Sequence, residues 1–238
     1  MNLKYDLHTH ILQGVDDGSS SVEESLSLIN ALKKQEVENI CFTPHFYTHK
    51  ESMNDFLARR NNAFEELKPH LPSDINVKLG AEVYVTKYLF SEERDLYPLC
   101  IENTPYMITE FSYQTSFSDS KLNMIRRIRD FGIIPILPHI ERYPILFKDK
   151  SVLNELVSMG VLVQSNLSSY VDSSYKRKLL RLIKDEYVDV LSTDIHSLTR
   201  NSPEIIPDVL ALISKKCGES YVDVFNENAK KIFEGLHF

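Results

Sequence analysis

Seven short apolar runs recur along the chain with longer amphipathic stretches between them, and this alternation restricts the fold more than any other feature. The runs are LKYDLH (3–8), NICFTP (39–44), NVKLGAEV (76–83), PYMITEF (105–111), IIPILPH (133–139), VLVQSN (161–166) and VDVLSTD (188–194). Helix candidates between them include VEESLSLINALKKQ (22–35), DSKLNMIRRIRDFG (119–132) and SSYKRKLLRLIKDE (173–186). A run that is apolar throughout suits a strand covered on both faces, and an intervening helix is the crossover that parallel pairing needs. Seven such units predict an α/β fold, a barrel rather than an open sheet. No linker or low-complexity tract interrupts residues 1–238, so one domain is expected. Ser21 with Glu24 predicts a capping box at the first helix, and Gly132 and Gly160 stand where helices should stop.

Charge narrows the classes of partner. The chain has 27 Lys and Arg against 34 Asp and Glu, a formal charge of −7. That balance disfavours a nucleic-acid surface, which needs cations for the phosphate backbone. The notable basic run is KRKLLRLIK (176–184), spaced to occupy one solvated face of a helix. Cys41, Cys100 and Cys217 are odd in number and far apart, which suits a reducing compartment and provides no disulfide framework. Polar and acidic residues follow Met1 almost at once, and no stretch resembles a membrane span, so a cytoplasmic protein is expected.

In such barrels the chemistry collects at the C-terminal ends of the strands. Here those ends carry metal-type ligands. The first offers His8 and His10, two residues apart on an extended strand and therefore on one side of it, with Asp16 and Asp17 in the loop beyond. The second ends in TPH with His45, the third at Glu82 and the fourth at Glu110. The fifth runs into PHIERY, with His139, Glu141 and Arg142, and the seventh into TDIH, with Asp194 and His196. Five imidazoles and several carboxylates on one rim would cost several kcal/mol per buried charge, roughly, without a cation among them. Mixed imidazole and carboxylate donors suit Mn, Fe or Zn, and their number exceeds what one ion can use. Clustered divalent ions commonly serve hydrolysis, generating hydroxide near neutral pH and stabilising charge on attacking and leaving oxygens.

Taken in order, DLHTHILQGVDDG, TPH, GAEV, TEF, PHIERY and STDIH resemble the polymerase-and-histidinol-phosphatase (PHP) superfamily over residues 4–200. Within it, the DDG loop and the HxERY element are most similar to the bacterial metal-dependent protein-tyrosine phosphatases of capsule and exopolysaccharide operons. The resemblance implies a single-domain, distorted TIM-like (β/α)7 barrel carrying three divalent ions, usually Mn²⁺, at the C-terminal ends of its strands. His8, His10, Glu82 and Asp194 would hold one. Glu82, Glu110 and His139 would hold a second, with Glu82 bridging, and Asp17, His45 and His196 the third. Arg142 would grip the phosphate. A second arginine follows the DxH element in the family, and Arg200 lies near that place with slightly different spacing. The implied partner is the tyrosine-rich tail of a cytoplasmic tyrosine kinase involved in polysaccharide export.

The implied reaction is phosphomonoester hydrolysis, with Arg142 matching two phosphoryl oxygens through its planar fork. Phenolate, with a pKa of about 10, leaves far more readily than an alkoxide, so a tyrosine phosphatase depends less on a general acid. A cysteine-dependent mechanism is excluded, because it needs an arginine six residues after the thiolate. Those positions hold Tyr47, Tyr106 and Asp223. No GxxxxGK[ST] phosphate loop is present either. Phe46, Tyr47, Phe111, Tyr113, Tyr143 and Tyr170 flank the expected site and offer walls for a phenol ring, while His49, His70 and His237 read as surface residues. A PHP phosphoesterase acting on histidinol phosphate shares the ligands and is the alternative; a metal-free scaffold would have lost some of them. The oligomeric state stays open.

Overall fold

The computed structural model describes residues 2–91, 95–113 and 117–238. Among the described residues, nine parallel strands form two sheets. The first contains β1 (Tyr5–Thr9), β2 (Asn39–Phe42) and β4 (Asn76–Leu79), in the order β1-β2-β4. The second runs β3 (His45–Tyr47), β5 (Glu82–Tyr84), β6 (Tyr106–Glu110), β7 (Ile134–Leu137), β8 (Leu162–Asn166) and β9 (Val190–Ser192). Two of the seven expected strands are therefore broken. The 39–47 segment pauses at Thr43-Pro44, and the expected 76–83 strand splits at Gly80-Ala81, so Glu82 opens a strand instead of closing one. Pro44 has no N–H to offer a ladder, which accounts for the first break. At Gly80 a side chain would stand 3.1 Å from Thr43 Cγ2, so the two breaks lie against each other.

The last strand returns to the first. Asp194 N donates to His8 O at 3.0 Å, His10 N donates to Ile195 O at 2.9 Å, and Thr9 bridges Ile195 in parallel. With 39–47 and 76–84 each counted as one interrupted strand, the strand order closes on itself, as the seven-unit pattern predicts.

Helices form where the sequence places their signals. α1 (Val22–Lys34) starts at Ser21, whose hydroxyl accepts from Glu24 N at 3.2 Å. Only half of the expected capping box forms, because the Glu24 carboxylate takes the N–H and hydroxyl of Ser20 rather than the N–H of Ser21. α3 (Asp119–Asp130) and α5 (Lys150–Ser158) end just before Gly132 and Gly160, whose φ values of +77° and +76° need a residue without a Cβ. The other α-helices of the described residues are α2 (Met53–Leu67), α4 (Pro144–Lys148), α6 (Ser173–Lys184), α7 (Ile206–Cys217) and α8 (Ser220–Glu234). Among the described residues, no helix is long and apolar enough to cross a membrane.

The faces of the strands position the site. Residues two apart share a face. On β6 that face reads Tyr106, Ile108, Glu110; on β8 it reads Leu162, Gln164, Asn166; and from β9 onward it reads Val190, Ser192, Asp194. Each series starts apolar and ends polar. The apolar starts, with Leu7, Cys41 and Ile136, pack against Ala229, Ile232 and Phe233 of α8. The polar ends gather at the opposite end of the strands, buried but hydrophilic.

Candidate metal centre

Four side chains from distant parts of the chain converge first. His8 Nε2 lies 3.2 Å from His10 Nε2, 3.2 Å from Glu82 Oε2 and 3.6 Å from Asp194 Oδ1. His10 Nε2 lies 3.3 Å from the same Glu82 oxygen and 3.2 Å from Asp194 Oδ1. Ligands about 2.1 Å from a common tetrahedral centre stand about 3.4 Å from one another. The observed separations have that spacing.

The hydrogen bonds behind these rings determine which nitrogen is free. His8 Nδ1 donates to Gln164 Oε1 at 3.2 Å, an oxygen that also accepts His139 N. His10 Nδ1 donates to Asp16 Oδ2 at 2.7 Å, and His196 Nδ1 donates to the Asp194 carbonyl at 2.8 Å. In all three rings the proton therefore sits on Nδ1 and the Nε2 lone pair faces the cluster. Two such lone pairs 3.2 Å apart repel unless a cation lies between them.

The remaining ligands extend the cluster in two directions. His139 Nε2 is 2.7 Å from Glu82 Oε1 and 3.5 Å from Glu110 Oε1. Asp17 Oδ1 is 3.5 Å from both His45 Nε2 and His196 Nε2. His45 Nδ1 also reaches Glu82 Oε2 at 2.8 Å, so this ring stands between the second and third expected ligand sets. The groups able to share an ion are His8, His10, Glu82 and Asp194; His45, Glu82 and Glu110; and His10, Asp17, His45 and His196.

The buried atoms suit a bound cation. Among the described residues, His45 Nδ1, Glu82 Oε2, His139 Nδ1 and His196 Nε2 are buried without a hydrogen-bond partner. His45 Nδ1 and His196 Nε2 face carboxylates of the cluster, and Glu82 Oε2 faces its imidazoles. Nitrogen and oxygen donors of this mixture match Mn, Fe or Zn. Burial alone would raise the Glu82 carboxyl, yet the imidazoles of His8 and His45, with those of His10 and His139 beside them, hold it well below the usual carboxylate range. Asp194 is held low in the same way by His8 and His10 against its own burial. Burial and the neighbouring Glu82 charge push Glu110 up to about 8.

Both arginines are held at the rim by carboxylates of the cluster. Arg142, in the turn after His139, places Nη2 2.9 Å from Asp194 Oδ2. Arg200 places Nη1 2.6 Å from Asp17 Oδ2. They line a cavity of about 300 Å³ with Asp17, His45 and Glu110 on its floor side and Tyr47, Tyr84 and Tyr113 among its walls. Of the six expected aromatic walls, Phe46, Phe111, Tyr143 and Tyr170 belong to the core instead, with 3 % exposure or less. A larger cavity of about 810 Å³ opens beside α2, and none of the ligand candidates lines it.

Several further residues support the site; Tyr84 had no sequence signal, whereas Asp16 and Glu141, named among the strand-end carboxylates, support the cluster from behind. Tyr84 enters the mouth because the strand break before Glu82 carries β5 onward. Gln164 and Asn166 are polar residues on one face of an apolar run, the one signal that pointed to them; Asn166 Nδ2 donates to Asp194 Oδ2 at 2.7 Å. Asp16 fastens the DDG loop, accepting from His10 Nδ1, from His45 N at 2.9 Å and from Gly18 N at 2.9 Å. Glu141 is buried behind Arg142 and accepts from Asn166 N and Ser169 Oγ. His139 and Asp194 both have left-handed backbone, with φ of +35° and +56°, which turns these side chains at the ends of their strands.

Gly18 gives the loop its close approach. A Cβ there would lie 2.1 Å from His10 O and 2.7 Å from His10 Cβ. Gly18→Ala is expected to push the His10 backbone, lowering the melting temperature by the equivalent of about 1–3 kcal/mol together with metal occupancy. Elemental analysis and thermal melting check it; no change in either would mean that the loop can yield.

Comparisons with known proteins place these features among relatives. A family model described as "Capsular polysaccharide synthesis, CpsB/CapC" matches residues 4–234. The tyrosine-protein phosphatase CpsB of Streptococcus agalactiae serotype V is 27% identical over 239 residues, covering 96% of this chain and 98% of that protein. A crystal structure from work on YwqE of Bacillus subtilis and CpsB of Streptococcus pneumoniae, described as unique metal-dependent tyrosine phosphatases, superposes with a TM-score of 0.81. Its sequence identity is 21%, over 98% of this chain and 96% of that one. The histidinol phosphate phosphatase of Lactococcus lactis gives a TM-score of 0.50 at 15% identity, over 92% and 95% of the two chains. At these identities the two structures speak for the fold.

Proposed function

The chain belongs to the CpsB/CapC family of capsular polysaccharide synthesis, and from that premise we propose that it is a metal-dependent protein-tyrosine phosphatase. One juxtaposition carries this: a buried cluster of imidazole and carboxylate lone pairs lies beneath a mouth rimmed by two arginines and three tyrosines. The substrate is the phosphotyrosine tail of a cytoplasmic tyrosine kinase that regulates capsule or exopolysaccharide export, and residues 1–238 act as one phosphatase domain.

Three divalent ions, Mn²⁺ by preference with Fe or Zn as alternatives, suit the donor set. His8, His10, Glu82 and Asp194 would hold the first; Glu82, Glu110 and His139 the second; Asp17, His45 and His196 the third. When bound, they supply an activated water and positive charge against the phosphoryl oxygens. The chain's own residues do the rest. Gln164 and Asp16 keep His8 and His10 in the ligating tautomer. Arg142 and Arg200 bind phosphoryl oxygens as the charge spreads over them. Tyr47, Tyr84 and Tyr113 flank a phenol ring in the mouth, and the phenolate departs toward solvent.

The test is phosphate release from matched phosphotyrosine and phosphoserine peptides and from histidinol phosphate, with metal content measured on the same protein. Chelation should abolish turnover, Mn²⁺ should restore it best, and phosphotyrosine should be hydrolysed much faster than phosphoserine. Preference for histidinol phosphate would move the chain to the alternative chemistry, and full activity after exhaustive demetallation would end the proposal.

Thiol chemistry has no part in this reaction. Burial pushes the Cys41 and Cys100 thiols well up, and Cys217, half-buried, is raised for the same reason. Alkylation under conditions that keep the fold should leave turnover intact; stoichiometric inactivation with protection by substrate would contradict the mechanism.

A further inference from the structure

The basic run 176–184 has no part in the site just described, yet it forms a continuous surface with residues near Arg142. Arg177, Arg181 and Lys184 fall at i, i+4 and i+7 of α6, on one face, and all three are exposed. This face separates two grooves. One, of about 550 Å³, has Leu146, Phe147 and Leu182 among its walls and Lys148, Lys150 and Lys178 beside them. The other, of about 600 Å³, adds Lys176 and Lys216 around Leu180. Arg177 and Arg181 line both.

Asp185, the acidic residue lining the second groove, pairs with Lys150 and, at 3.7 Å, with Arg181 Nε. Among the described residues, Lys148, Arg177, Lys178, Lys184 and Lys216 form no ion pair. Eight of the chain's 27 basic side chains thus surround two apolar-walled grooves on a protein of net charge −7. Such a block raises the local concentration of an acidic partner against the field of the whole molecule.

The patch begins close to the mouth. Lys148 lies six residues after Arg142, at the end of the five-residue helix α4, so at most about 22 Å of chain separates them. Arg177 and Arg181 are four residues apart on a helix, about 6 Å along its axis. Alternate residues of an extended peptide stand about 6.7 Å apart and point the same way. Concave grooves with apolar walls and cationic rims favour a polypeptide over a flat lipid surface.

We propose that the α4–α6 face is an exosite for an acidic, extended segment of the phosphoprotein substrate, with carboxylates at alternating positions meeting Arg177 and Arg181. This rests on the phosphatase reading of the adjacent site. It assigns that site a substrate class: phosphotyrosines carried on acidic sequence.

The experiment compares two phosphotyrosine peptides whose residues six to twelve positions from the phosphotyrosine, on either side, carry alternating Glu or alternating Gln. Fluorescence anisotropy gives their Kd and phosphate release gives kcat/KM, for the wild type and for Arg177→Glu/Arg181→Glu. The wild type should bind and turn over the Glu peptide about tenfold better at low ionic strength, and salt should erase the difference. The double variant should lose the preference while hydrolysing p-nitrophenyl phosphate at the wild-type rate, with an unchanged circular-dichroism spectrum. Equal affinity of the wild type for both peptides, or a preference that survives in the double variant, overturns the exosite while leaving the phosphatase standing. Binding to vesicles containing anionic lipid, lost in the double variant and without any peptide preference, overturns it in favour of a membrane-facing surface. If aryl phosphate hydrolysis is absent in the metal-loaded wild type, the catalytic reading fails, and the anisotropy comparison still decides the groove.

Discussion

Glu82→Gln is expected to deplete the metal centre and lower kcat/KM by about 4–6 kcal/mol, the scale of losing metal-ion stabilisation of transition-state charge. Its carboxylate touches four imidazoles, at 3.2 Å from His8, 3.3 Å from His10, 2.8 Å from His45 and 2.7 Å from His139. Glutamine keeps the volume and one acceptor oxygen but removes the charge that two ions would share, and its amide group aims N–H bonds at ring nitrogens that must stay unprotonated. Elemental analysis of the purified variant, next to circular dichroism, separates metal loss from unfolding. Wild-type occupancy with a wild-type rate would show that Glu82 does not bridge.

Arg142→Ala should behave in the opposite way, keeping the metals while losing on the order of 2–4 kcal/mol in kcat, as when a charge-stabilising donor is removed. The reason lies in how Asp194 is held. Arg142 and Asn166 both donate to its Oδ2, so the carboxylate stays anchored through Asn166 when the arginine is lost, and Oδ1 still faces His8 and His10. His139→Ala is the control, expected to lower occupancy and rate together because a proposed ligand has gone. Arg142→Lys should recover only part of the rate, since an ammonium lacks the planar fork that meets two oxygens. Loss of metal from Arg142→Ala, or full occupancy in His139→Ala, would mean that the two roles are exchanged.

What the sequence by itself determined is whatever depends on neighbours a few residues away. The period of the apolar runs predicts the parallel α/β arrangement, because burial on both strand faces leaves no polar alternation. The spacing of His8 and His10 puts both rings on one side of a strand, and Gly132 and Gly160 mark helix ends because only glycine reaches their backbone angles at no cost. Ligand-type residues at the strand ends were legible for the same reason, since barrel topology brings every such end to one rim.

Tertiary structure alone decided which of those residues meet. Arg200 reaches Asp17 across 183 positions, and Asn166 reaches Asp194 across 28. No local pattern encodes either distance; the first follows from the return of the last strand to the first, the second from the pairing of β8 with β9. Closure also separates the aromatic residues, burying Phe46, Phe111, Tyr143 and Tyr170 in the core while Tyr47, Tyr84 and Tyr113 line the mouth. Composition could not sort them, because an aromatic ring near a strand end suits a core as well as a pocket. For Phe46, Tyr47 and Tyr84 the local cause is the break in the 39–47 and 76–84 segments, where Pro44 cannot donate and Gly80 packs against Thr43, so that His45 and Glu82 begin new strands directed at the cluster.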